Sequence, residues 1–213
     1  MTTTWTEDHF VGERFCLDFI NTYNGFNIDP EEKERMETFQ DFLNWLDYAQ
    51  TKDREETGWV IDFGEVDEDL QARIMCDVRK LRRNLFEVFD AFSNNRQPEM
   101  CHIAAIYETL ANTVMFVEPV EKPRDLAGPS NHVRIKKPLG LLYPIAHSAA
   151  RLLVEDCLCY IKECADETCE WVFLDCSKNH KRRWCDMKTC GNRAKARRHY
   201  KKKCETEPSQ LTH

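Results

Sequence analysis

Residues 164–203 read CADETCEWVFLDCSKNHKRRWCDMKTCGNRAKARRHYKKK, and this stretch decides the reading of the chain. It contains two cysteine pairs, Cys164-x4-Cys169 and Cys185-x4-Cys190, with 15 residues between them. Tetrahedral zinc takes four thiolate or imidazole ligands gathered by tight turns, and two close pairs flanking a hairpin-sized insert supply them. Cys164, Cys169, Cys185 and Cys190 are therefore the candidate ligands of one Zn2+. The bland alternative is four buried thiols, but a segment this short hardly builds a core without a staple. Cys157, Cys159, Cys176, Cys204, His180 and His199 are substitutes that do not improve the paired geometry. A four-cysteine site has no open position for water, so it is expected to be structural and not hydrolytic.

Within the insert, Trp171–Leu174 reads as a strand, residues 176–179 as a turn and Arg182–Trp184 as a second strand, while Ala194–Lys203 has helix-forming composition. Knuckle, hairpin and helix in that order predict a treble-clef-like finger. From Lys178 to Lys203 the chain has 12 Lys/Arg against one acid, Asp186, a local charge of +11. The whole chain carries -7, so the remainder is strongly acidic. A basic end on an acidic body suits a polyanion, although a short basic run also serves as a solvated face. Arg182, Arg183, Asn192, Arg193, Lys195, Arg197, Arg198 and Lys201 are the candidate contacts to duplex DNA. Most would meet phosphates. Arg193 and Asn192 are the candidate base readers, since Arg suits guanine and Asn adenine. Asn192 could equally cap the helix or brace the zinc loop, and Trp184 could stack on a base or pack in the small core.

Upstream, apolar periodicity predicts a mainly α body. Residues 8–23 end in helix; Phe39, Phe42, Leu43 and Leu46 mark a second helix, placed after Pro30 and the charged run 31–35. Residues 53–64 read as a loop. Ile74, Val78, Leu81, Leu85, Val88 and Phe92 form the stripe of a long helix, and Ile103, Ile106, Tyr107, Leu110 and Val114 that of another. The period then changes to two, so residues 115–120 and 132–136 are expected to pair as a hairpin around the loop 121–131. Pro144 opens a helix directed toward Lys162. Cys16, Cys76 and Cys101, in apolar-periodic segments, are expected in the core.

The run Arg183-Trp184-Cys185-Asp186-Met187-x-x-Cys190-Gly191-Asn192-Arg193-Ala194-Lys195 closely resembles the signature of the CGNR zinc finger family, a bacterial group. The preceding cysteine pair and Phe173-Leu-Asp175-x-Ser177-x-Asn179 look like the same finger. Cys16-Leu-Asp18-Phe-x-Asn21-Thr22 resembles the opening of the ABATE domain that usually precedes it. The resemblance implies a bacterial stress-response transcription regulator with a sensor or partner-binding domain, residues 1–160, a finger, 161–204, and a polar tail, 205–213. Asp18, Asn21 and Thr22 are candidates for a ligand pocket in the first domain; as polar groups among apolar neighbours, they are otherwise to be satisfied internally.

The expected function is therefore a zinc-containing DNA-binding regulator. RNA or single-stranded nucleic acid is the alternative partner, with Trp184 and Tyr200 as stacking faces. A small-molecule effector and a second copy of the chain are further candidates. An enzyme acting through the N-terminal domain is not expected: the chain has no phosphate loop, dinucleotide fingerprint, nucleophile elbow or open metal motif. It also has no membrane-length apolar run or secretory signal at its start, which points to the cytoplasm.

Overall fold

The computed structural model describes residues 4–24, 26, 34–52, 57–120 and 131–206. Helix α1 (Phe15–Ile20) is buried along its whole length and lies against two later helices, α3 (Glu68–Ser93) and α5 (Tyr143–Leu152). Its aromatic side chains meet those of α2 (Phe39–Gln50): the Trp45 ring stands 4.9 Å from Phe15 and 5.4 Å from Phe19, with Phe42 beside them. Each such fully buried ring contributes about 2–3 kcal/mol of transfer free energy. α2 begins later than the charged run predicted, because Thr38 and Asp41 form a reciprocal cap: the Asp41 amide donates to Thr38 Oγ1 at 3.1 Å, and the Thr38 amide to Asp41 Oδ2 at 3.0 Å. Pro30 and residues 31–33 lie outside the described residues.

The stripe on α3 is buried as its spacing predicts, with Phe92 at the margin. Asp67 starts this helix by accepting from the Leu70 amide at 2.9 Å. α3 also buries Arg82, which donates to Thr22 Oγ1 at 2.8 Å and pairs with Glu34. On α4 (Met100–Val114), Ile106 faces the core, whereas Tyr107 and Val114 are exposed.

Strands β2 (Val117–Val120) and β3 (Asn131–Ile135) pair antiparallel as expected, Val117 opposite Ile135. Their loop, 121–130, falls outside the described residues. Two expectations change here. Residues Thr57–Ile61 form strand β1, parallel to β3 and opposite Asn131–Ile135, and not the loop that the sequence predicts. The apolar patch Trp59-Val60-Ile61 is its local mark, too short to set apart from a loop without the partner far along the chain. The helix α5 stops at Leu152 instead of running toward Lys162, which belongs to strand β4 (Ile161–Glu163).

β4 pairs antiparallel with β5 (Val172–Leu174), Lys162 opposite Phe173. Thus the finger's hairpin uses β4, not Arg182–Trp184, which is no strand. Ile161, Val172 and Leu174 join the core built by α1, α2 and α3, while Phe173 faces the cysteines. Of the three cysteines expected in the core, Cys16 is buried, but Cys76 and Cys101 are exposed on the outer faces of α3 and α4. A small thiol is compatible with either face of an amphipathic helix, so periodicity alone does not place it.

Gly12 lies at the joint between the N-terminal segment and β5. Its amide donates to buried Asp18 Oδ1 at 2.7 Å, and its carbonyl accepts from the Leu174 amide at 2.9 Å. A Cβ at this position would stand 2.8 Å from the Asp18 backbone nitrogen. Gly12→Ala is expected to lower unfolding stability by about 2 kcal/mol, read from the midpoint of urea denaturation.

Candidate metal centre and basic helix

The β4–β5 turn carries Cys164 and Cys169, and a helical turn, Met187–Gly191, carries Cys190 just ahead of helix α6 (Asn192–Thr206). Asp186 opens that turn, accepting from the Thr189 amide at 2.7 Å. Cys185 precedes it, and its amide donates to Cys164 Sγ at 3.4 Å. All four cysteines are buried, and their sulfurs lie within 4.8 Å of one another. The Cys169–Cys185 and Cys185–Cys190 sulfur separations are 3.8 and 3.5 Å. A zinc tetrathiolate with bonds of about 2.3 Å has tetrahedral edges of about 3.8 Å, so the sulfurs fit the ion with little movement. This is one structural zinc site with no place for a catalytic water.

The other soft ligands lie elsewhere. Cys157 bonds Glu155, and burial together with that carboxylate pushes its thiol up to about 11. Cys159 and Cys176 are exposed. The His180 ring stacks on Tyr160 at 3.6 Å. His199 is exposed on α6, and the Cys204 side chain lies outside the described ones.

Two buried aspartates organise the finger: Asp175, which the sequence offers only as part of the finger's run 173–179, and Asp166, which it does not single out. Asp175 follows β5 and accepts from Lys162 Nζ at 2.6 Å, Ser177 Oγ at 2.5 Å and the Arg182 amide at 2.9 Å. Burial raises its carboxyl, but Lys162 and Ser177 outweigh that and hold it at about 2. Asp166, between the first two ligands, accepts from Arg193 Nε at 2.8 Å and pairs with Arg197 Nη2 at 2.5 Å. It too is held at about 2, against its burial, by the two guanidiniums. Arg193 also places Nη2 3.2 Å from Cys190 Sγ. A short Asp flanked by ligand cysteines was the available signal for Asp166; its partners, 27 and 31 positions away, gave none.

These bonds divide the candidate nucleic-acid contacts. Arg193 and Arg197 are committed to Asp166. Arg182 donates to Val11 O at 2.8 Å and to the Cys185 carbonyl, reaches Glu13 at 3.3 Å and lies over the Phe173 ring. It ties the finger to the N-terminal segment. Asn192 donates to Lys188 O at 2.9 Å, the bracing role that was the alternative to base reading. Arg183 is exposed over Trp184, which is half-buried in the cysteine core. Lys195, Arg198 and Lys201 are exposed.

The residues expected in an N-terminal pocket are buried and bonded inside the protein. Asn21 Nδ2 donates to Val172 O and its Oδ1 accepts from the Val172 amide, both at 2.9 Å, so this side chain pairs with β5 as a neighbouring strand would. Thr22 Oγ1 donates to Phe19 O at 2.6 Å and accepts from Arg82, while Asp18 holds the Gly12 amide. Asn21 serves the joint with the finger directly and Asp18 through Gly12, whereas the Thr22 side chain bonds within the N-terminal body; a polar residue among apolar ones reads alike for such bonds and for a pocket.

Two measurements check this centre. The purified chain is expected to contain one zinc by elemental analysis, and Cys185→Ser to lose it. Asp175→Asn is expected to cost about 2 kcal/mol near neutral pH. Because the folded carboxyl lies below its ordinary value, the stability it adds is complete above about pH 4 and lost as pH falls toward 2. The gap between the urea midpoints of wild type and variant should close over that range.

The comparisons agree with this architecture. The CGNR zinc finger model matches residues 160–203, and the ABATE model, described as "Putative stress-induced transcription regulator", matches residues 13–156. A comparison with curated proteins gave no match. With two thirds of its length inside the one model and the four-cysteine centre inside the other, the chain belongs to the ABATE family and carries a C-terminal CGNR zinc finger.

Proposed function

We propose that the chain is a transcription regulator that contacts duplex DNA through the outer face of α6, with the zinc centre fixing that helix. The observation carrying this reading is the division of the helix by Asp166. Arg193 and Arg197 turn inward to one buried carboxylate, and Lys195 and Arg198, about a half-turn round, face solvent with Lys201 on the flank. The bases of this surface come without an acid between Gly191 and Lys203. Such a strip neutralises phosphates and displaces counterions, while the acidic body repels DNA from the rest of the surface.

With Arg193 and Asn192 engaged at the zinc loop, this reading rests on phosphate contacts and leaves base reading to Arg183, Lys195 or Arg198. The exposed Tyr200 offers a stacking face and keeps single-stranded RNA as the competing ligand. Trp184 favours it less, being packed beside the ligands. In this reading the chain catalyses nothing and works in the cytoplasm; no helix of the described residues is long and apolar enough to cross a membrane.

Zinc-loaded protein is expected to bind a short duplex more tightly than single-stranded RNA, with affinity falling steeply as salt rises. The triple variant Lys195→Ala, Arg198→Ala, Lys201→Ala should keep its zinc and lose roughly 2–3 from the slope of log affinity against log salt. Fluorescence anisotropy over a salt series reads both. An unchanged slope would remove α6 as the contact surface.

A further inference from the structure

A pocket of about 250 Å3 opens at the joint between the two parts of the chain, and its wall includes Cys169, Cys185 and Cys190 together with Arg35. Arg35 comes from the segment before α2, far from the finger in sequence. Backbone and side chain both hold it there. Its amide donates to Thr22 O at 3.3 Å, Nη1 donates to Asn21 O at 3.1 Å, and the guanidinium lies over the Trp171 ring, 4.9 Å from its centre. Arg193 approaches the same sulfurs from α6, reaching Cys190 Sγ at 3.2 Å, and lines the same pocket.

Zinc with four thiolates carries a formal charge of about -2 in a site whose ligands are all buried. An uncompensated charge of that size is costly away from water, and second-shell groups are the usual means of balancing it. We infer that Arg35 and Arg193 are the counter-charges of this metal centre, so that the N-terminal domain completes the finger's zinc site across the joint. Both guanidiniums set positive charge beside the thiolates, Arg193 while also bonding Asp166. They also draw electron density from the sulfurs, which makes the thiolates poorer nucleophiles and the zinc slower to leave. The inference does not depend on nucleic-acid binding and holds for any function of α6.

The test uses the full chain with cobalt(II) in place of zinc, because the thiolate-to-cobalt charge-transfer band reports electron density on sulfur directly. Arg35→Met is expected to move this band to lower energy. In the zinc form it should speed transfer of the metal to a colorimetric chelator, and alkylation of the bound cysteines by iodoacetamide, by about tenfold. Arg35→Lys, which keeps the charge, should restore most of the difference. Arg193→Met, at a side chain 48% exposed, should move the band the same way and covers the case in which Arg35→Met does not fold. An unmoved band in the folded variants overturns the inference. So does a band shift that lysine at position 35 fails to reverse, since that would make the role of Arg35 one of packing.

Discussion

The segment from Cys164 to the end of α6 has too little apolar substance to fold by itself. Its private core consists of four cysteines and Phe173, bordered by Trp171, Trp184 and Val11. Metal bonds make up the deficit from within. From outside, β4 and β5 give Ile161, Val172 and Leu174 to the large core of α1, α2 and α3. The hairpin is therefore shared: one face closes over zinc, and the other is the last layer of the N-terminal body.

That sharing explains the placement of polar groups around the joint. Gly12, Asn21 and Arg182 each spend backbone or side-chain bonds across it, and Arg182 does so under the shelter of the Phe173 ring. Buried carboxylates then sort the finger's excess positive charge. Asp175 takes Lys162, and Asp166 takes Arg193 and Arg197. A basic sequence thereby becomes a structured one, in which some cations brace the fold and the remainder reach water.

Local patterns in the sequence carried the helices, the β2–β3 hairpin and the metal ligands. The α3 stripe is periodic over its whole length, and cysteine pairs have few other uses in so small a space. What was not legible depends on partners distant in the chain. β1 shows only the short patch Trp59-Val60-Ile61 until β3 is beside it, and β5 pairs with β4, 9 to 13 positions before it, in place of Arg182–Trp184. Arg182 and Arg193 read in the sequence as candidate nucleic-acid contacts, and the carboxylate and carbonyls they bond in the fold are invisible in a linear reading. Asp18, Asn21 and Thr22 read as polar residues among apolar ones and are buried; Asn21 grips the finger's β5, Asp18 the Gly12 amide, and Thr22 bonds Phe19 and Arg82 within the body.

The way Asn21 grips Val172 bears on transplanting the finger. The two matched regions meet between residues 156 and 160, a boundary in the chain that is not one in the packing. A finger moved onto another body would arrive with the apolar back of its hairpin bare and without its borrowed amide partner. Such a finger keeps its shape only on a body that offers both an apolar seat and an amide in the place of Asn21.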